Sequence, residues 1–383
     1  MSLQISLFKA VLLLMMLALP YGNVSKLFGL EDALIYLLYP LCFIIFVIAI
    51  LQRQKTELTA DGIIIVIFIS LIASAISYFA GYIDTNFIFA EFFKFMLFIL
   101  LFDLVKSNGS RSVAFILNNY SNVFFWSLTL SLVVYAFVRK PEFIFYDGAA
   151  YRFGGFHFEL FNFCFSAAIC TASLIYKNMN KAIVFCILCF FMYVSKSNFS
   201  FMYILIYLIS FHTNLLSSLF IRRMATFVIL IIPIFIGMIL DQLSFLSVLS
   251  IRESTSFDHS GSSVFARLYP YSLAYTQLIS DGIFSFLPGG FGYFESTEFV
   301  KEDPLSYAGT GSPKALINIG VLLFTALIFL LLKKMPKVAL QELRLVNFIW
   351  FSSISFISFG SGFFNLFAWT ILVSLFFWRK NYV

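Results

Sequence analysis

The chain has 383 residues, 61% hydrophobic and only 11% charged, with a mean hydropathy of +0.96 and a formal net charge of +6. A soluble domain carries about a quarter charged residues, so this composition excludes a soluble multidomain protein. The lysines and arginines stand singly in short segments rather than in a basic stripe, which excludes a nucleic-acid-binding surface.

Apolar runs of about 20 residues, broken by charged or Gly/Asn/Pro punctuation, predict about twelve transmembrane helices in one domain covering 1–383. They fall near 5–21, 31–51, 62–82, 87–105, 113–138, 159–176, 182–195, 199–211, 224–246, 314–332, 345–359 and 363–378. Lys9 and the VLLLMMLALP that follows it lack a small-x-small cleavage pattern, so the first run reads as a span rather than a signal peptide. Glu91 and Lys94 share a helix face in the fourth, as a functional or a mutually neutralising pair. The runs at 182–195 and 199–211 are short and frame the polar Ser195-Lys196-Ser197-Asn198, as short helices or a re-entrant pair. All five cysteines lie in apolar runs and read as packing residues; Cys186-x-x-Cys189 has no second ligand pair, and no metal or cofactor is assigned. The expected fold is all-α, a polytopic helical bundle with two larger outer loops, 139–161 and 247–313.

The alternating loops sort by charge. One set holds Arg53, Lys55, Lys106, Arg111, Lys177, Lys181, Arg222, Arg223, Lys333, Lys334, Lys337, Arg344, Arg379 and Lys380, against nine positive charges in the other set, six of them in the long loops. Positive charge in short loops marks the cytoplasmic side, so both termini are expected in the cytoplasm and the long loops outside.

The loop RKPEFIFYDGAAYRFGGFHFELF brings Arg152, His157, Glu159 and Asn162 within eleven residues that lead into a helix. Gly154-Gly155 beside an arginine lets backbone amides approach an anion; in the plainer reading Arg152 snorkels to headgroups and Glu159 caps the helix. The second loop carries Arg252, Arg267, Tyr269, Tyr271, Tyr275, Asp281 and Pro288-Gly289-Gly290-Phe291-Gly292. Within it, SVFARLYPYSLAYTQLI suits an interfacial helix, its tyrosines serving as an aromatic belt or as stacking faces for sugar rings. Arg152, Arg252, Arg267 and Lys196 on one side of a membrane, with aromatics between them, suit a lipid diphosphate, because arginine holds phosphate oxygens bidentately and keeps its charge. The same residues could hold structural lipid.

This pattern resembles the O-antigen polymerase (Wzy) family, membrane enzymes that join lipid-linked oligosaccharide repeat units on the periplasmic face. Arg152-Phe-Gly-Gly155-Phe-His-Phe-Glu159 is similar to the family's R-x-x-G-x-x-x-E approach to a middle helix, although Leu160-Phe161 replaces the usual Pro-Ser. Val194-Ser195-Lys196-Ser197 is similar to its Ser-Arg turn with Lys for Arg, and Pro288-Gly-Gly-Phe-Gly292 to its glycine-rich stretch. The arginine followed eleven positions later by glycine, found in some members, is absent: Arg152 leads to Phe163, Arg252 to Ser263 and Arg267 to Leu278.

The resemblance implies a metal-independent glycosyltransferase of the bacterial inner membrane acting on undecaprenyl-diphosphate-linked oligosaccharide, with a chain-length regulator and a flippase as partners besides membrane lipid. Arg152 and Arg267 would neutralise the leaving diphosphate, supported by Arg252 and Lys196. Glu159, then His157, is the candidate base, and Asn162, Tyr271, Gly289, Gly290 and Gly292 the candidate substrate-binding residues. Three rival readings remain: an O-antigen ligase, for which only His259 is available in the long loop; a lipid-oligosaccharide flippase or transporter; and a non-catalytic scaffold. The absence of internal repeats and the scarcity of charges inside spans weigh against transport.

Overall fold

The computed structural model describes residues 2–18, 20–21, 44, 61–83, 98, 101–102, 105–106, 108–138, 145–146, 152–155, 157, 160–197, 200–254, 271, 274–296, 311–360 and 365–378. The spans expected at 31–51 and 87–105, with Glu91 and Lys94, fall almost wholly outside the described residues. The others appear as α1 (Ser2–Ala18), α2 (Gly62–Phe79), α3 (Ser110–Val138), α4 (Leu160–Tyr176), α5 (Lys181–Ser195), α6 (Ser200–His212), α7 (Leu219–Ser254), α8 (Gly311–Lys334), α9 (Leu340–Phe359) and α10 (Leu366–Phe376). Among the described residues the secondary structure is helical apart from one two-residue antiparallel ladder, β1 (Phe145–Tyr146) against β2 (Arg152–Phe153).

Local chemistry sets the helix ends. Asp61 starts α2 by accepting from the Ile63 amide at 3.2 Å, and Asn365 starts α10 by accepting from Phe367 and Ala368, both at 3.1 Å. The expected end of the first span at 21 moves back to Ala18, because Pro20 follows and disfavours helix in the residue before it. At the other extreme, α7 runs eight residues past its expected end at 246, since LSVLSIRES holds no glycine or proline to stop it. Together with the start of α8 at Gly311, this shortens the expected 247–313 loop from both sides.

Among the described residues four helices, α2, α3, α7 and α8, are long and apolar enough to cross a membrane. Their outward faces expose Phe68 and Ile76, Trp126 and Phe137, Phe220 and Phe235, and Phe329. Water would penalise such faces by about 25 cal/mol per Å², whereas lipid does not. The centre is α4, buried all round from Leu160 to Leu174, with α3, α5 and α9 packed on it. Phe165 of α4 stacks on Phe356 of α9 at 4.2 Å, and Ser352, Ser353, Ser355 and Ser358 keep α9 thin enough for close approach.

One end of the bundle gathers cations whose partners are structural. Lys334, at the end of α8, pairs with Asp61 and lies over the ring of Phe102 at 5.4 Å. Arg222 donates to the Pro336 carbonyl at 3.0 Å, Arg223 to the Leu332 carbonyl at 3.1 Å, and Lys177 to Ser121 at 2.7 Å. The Asp61 side chain is only 12% exposed, so Lys334→Met, which strands that carboxylate, should cost about 2–3 kcal/mol. Thermal unfolding in detergent checks this, and Asp61→Asn added to Lys334→Met should restore most of the loss.

Candidate functional site

The other end of the bundle holds every candidate site residue that the structure describes. On one flank, β2 pairs Arg152 with Tyr146 and Phe153 with Phe145, which fixes the backbone at Arg152, and the Phe153 ring meets Phe163 edge-on at 5.8 Å. Gly154 and Gly155 follow, both buried, and the Gly154 carbonyl accepts from the His157 amide at 3.2 Å and contacts its ring Nδ1 at 2.9 Å. The His157 imidazole is fully buried between Phe124 at 5.9 Å and Phe163 at 5.2 Å. Burial outweighs the bond to Gly154 and drives its pKa down to about 3. That closed aromatic setting makes His157 a neutral packing residue in this conformation.

The sign of the linkage is definite. A histidine depressed when folded stabilises fully above its ordinary pKa near 6.5, and this contribution fades as pH falls from there towards 3. Acidifying from pH 7 to 5 should therefore cost the protein about 2 kcal/mol at this one site. Melting curves of wild type and His157→Phe at both pH values check it: the phenylalanine variant should lose that part of the pH dependence.

Asn162 lies in the first turn of α4, 7% exposed, with Oδ1 holding no hydrogen-bond partner among the described residues. Lys196 forms the hinge between α5 and α6 in the left-handed region at φ 48°, a backbone state uncommon outside glycine and asparagine. Its side chain is exposed, while Ser195 beneath it is buried and donates to the Met192 carbonyl at 2.8 Å. The structure thus brings the backbone of Arg152, His157, Asn162 and Lys196 to neighbouring positions around α4 and α5.

On the opposite flank, Tyr271 is buried and its hydroxyl donates to the Phe359 carbonyl at 3.2 Å, so it serves as a strut rather than an open platform. Residues 274–281 are helical, Gly282–Phe286 form a 3-10 turn and Tyr293–Ser296 a last helical turn. This hairpin lies against α2 and the first half of α8. Gly320, nine residues into α8, breaks that helix at φ 75° and ψ 159°, and a Cβ there would sit 2.4 Å from the Leu287 carbonyl oxygen. Nine residues at about 1.5 Å each place the break roughly 14 Å along the axis. The Pro288–Gly292 loop therefore enters the bundle instead of lying beyond it.

Irregular backbone at that depth needs partners from the protein, and it has them. Gly290 N–H donates to the Asn318 carbonyl at 2.8 Å, Phe291 N–H to Ser74 Oγ at 2.6 Å, and Phe294 N–H to Asn318 Oδ1 at 2.9 Å. Ser77 donates to the Gly289 carbonyl at 2.6 Å. Gly290, at φ 99°, lets the loop touch α2, and Gly292 at φ 90° is buried beside it.

Beside this loop is a polar network to which the sequence assigned no role. Asp281 Oδ1 accepts from Gln277 Nε2 at 2.8 Å and from the Tyr293 hydroxyl at 3.2 Å. Burial raises the Asp281 pKa above its ordinary value, against the lowering effect of both bonds. Burial, then Asp281, and to a lesser degree Tyr82 push the Tyr293 hydroxyl up to about 12. The i, i+4 spacing of Gln277 and Asp281 was the one signal of the pair in the sequence.

Arg252 is carried by the last turns of α7, while Glu159 and Arg267 lie outside the described residues. No family model, curated protein or solved structure matches this chain.

Proposed function

We propose that this chain is a multi-pass enzyme of the bacterial inner membrane that extends polysaccharide by joining undecaprenyl-diphosphate-linked repeat units on the periplasmic face. In this reading about twelve helices span the membrane, both termini are cytoplasmic, and the end carrying β2, the Lys196 hinge and the glycine loop faces the periplasm. The observation that carries it is the division of labour between the two ends of the bundle. At one end Arg222, Arg223 and Lys334 serve backbone carbonyls and Asp61; at the other lie the very segments that resemble O-antigen polymerases.

The chemistry is a displacement at the anomeric carbon of the growing chain. A hydroxyl of the incoming repeat unit forms the new C–O bond, the bond to the lipid diphosphate breaks, and the hydroxyl proton passes to a base. Arg152 and Arg267 hold the leaving diphosphate, with Arg252 and Lys196 in support, because charge develops there in the transition state. Glu159 is the preferred base, since His157 is enclosed.

The test is the surface lipopolysaccharide and lipid-linked intermediates of cells lacking the gene, complemented with wild type or with Arg267→Ala. A polymerase predicts at most one repeat unit on the surface lipid in the deletion and in the variant, and a ladder with wild type. Bare core with polymer accumulating on the carrier would mean a ligase, and units trapped inside would mean a flippase. An unchanged ladder would overturn the proposal.

A further inference from the structure

We propose that Asp281, with Tyr293 and Tyr82, forms a sugar-binding subsite that holds the oligosaccharide of the lipid-linked substrate; this rests on the polymerase reading above. The geometry of the carboxylate supports it. Gln277 and Tyr293 both donate to Oδ1, which anchors that oxygen, and Oδ2 has no partner among the described residues. An ionised carboxylate held in this way accepts from sugar hydroxyls, the commonest donors on an oligosaccharide.

Asp281 stands at a junction: it is the last residue of the helix 274–281, where a negative charge meets the negative end of the helix dipole, and the N-cap residue of the 3-10 turn Gly282–Phe286. Its side chain makes no capping hydrogen bond and is instead oriented by two donors. Among the described side chains three are acidic. Asp61 pairs with Lys334 and Glu342 accepts from Trp378, both at the cation-rich end, which leaves Asp281 for the end that holds the candidate residues.

The surroundings have the two-sided character of a pyranose. Tyr82, 66% exposed three residues past α2, is near enough to act electrostatically on the Tyr293 hydroxyl, and the Tyr293 ring packs where a Cβ on Gly289 would lie, 2.5 Å away. Ile279, Ile283 and Phe284 are exposed on the same hairpin, an apolar tip suited to lipid. The carboxylate and that apolar tip thus share one hairpin, a combination suited to a substrate that is part sugar and part lipid.

The experiment uses full-length protein in detergent and the repeat-unit oligosaccharide released by mild acid from surface polysaccharide of the same cells, with binding read by intrinsic fluorescence. Asp281→Asn keeps the shape of the side chain and Tyr82→Ala changes an exposed one, so both variants should fold. Each should weaken binding about tenfold, the loss of one hydrogen bond to a charged group or of one stacking face. Unaltered affinity in both variants, or no binding by wild type, overturns the subsite. Because this readout requires no turnover, the ladder assay in cells tests the polymerase reading separately.

Discussion

Gly290→Ala should destabilise the protein by about 3–5 kcal/mol, among the largest effects of any single methyl group added to this fold. The alanine would have to hold φ at 99°, which costs about 1–2 kcal/mol for a residue with a side chain. Its Cβ would also sit 2.5 Å from Ser74 Cα and 2.7 Å from Ser74 N, backbone atoms of a helix that cannot rotate away. Backing the loop off would break the bonds from Gly290 to Asn318 and from Phe291 to Ser74, leaving polar groups unpaired inside the bundle. Gly282→Ala is the matched control: φ is 53° but nothing lies within 4 Å, so only the backbone cost of about 1 kcal/mol applies. Melting temperatures of the two variants in one detergent decide the matter. Equal shifts would mean that the glycine loop is not seated on α2.

The helices were legible because lipid imposes a simple demand, a long apolar run, and α2, α3 and α8 satisfy it within a few residues of their expected bounds. The Pro288–Gly292 loop was legible as a special backbone but not as a buried one. Its partners are Ser74, Ser77 and Asn318, on helices far away in sequence, and a serine in an apolar run reads as ordinary helix-packing glue. Gly320 gave an equally faint sign, since one glycine within a helix is usually just tolerated.

Residue types at the candidate site were easier to read than their exposure. Polar groups are dense from Arg152 to Asn162, yet that density could not show that His157 would be shut between Phe124 and Phe163 or Tyr271 used as a strut. Both depend on aromatic packing between helices. Asp281, noted in the second loop, was given no role for the converse reason: its partner Tyr293 lies twelve residues on, across a turn whose hairpin shape no spacing rule encodes.

Arg152→Ala should lower the rate of chain extension by about 10²–10³-fold, the range for removing one donor that neutralises charge in a transition state. The fold should survive, because what positions this residue is backbone: the pairing with Tyr146, the packing of Phe153 on Phe163, and the Gly154 carbonyl bound by His157. Arg152→Lys separates two roles of the guanidinium. If charge alone matters, lysine should restore most of the rate; if a bidentate grip on the diphosphate matters, lysine should remain at least about tenfold slow, since its ammonium is a point charge without the planar fork. The readout is the rate of polymer growth from purified lipid-linked repeat units, alongside melting curves that should shift by no more than about 0.5 kcal/mol. Wild-type extension by Arg152→Ala would remove this arginine from the reaction. A loss of rate that tracks a loss of folded protein would assign it to structure instead.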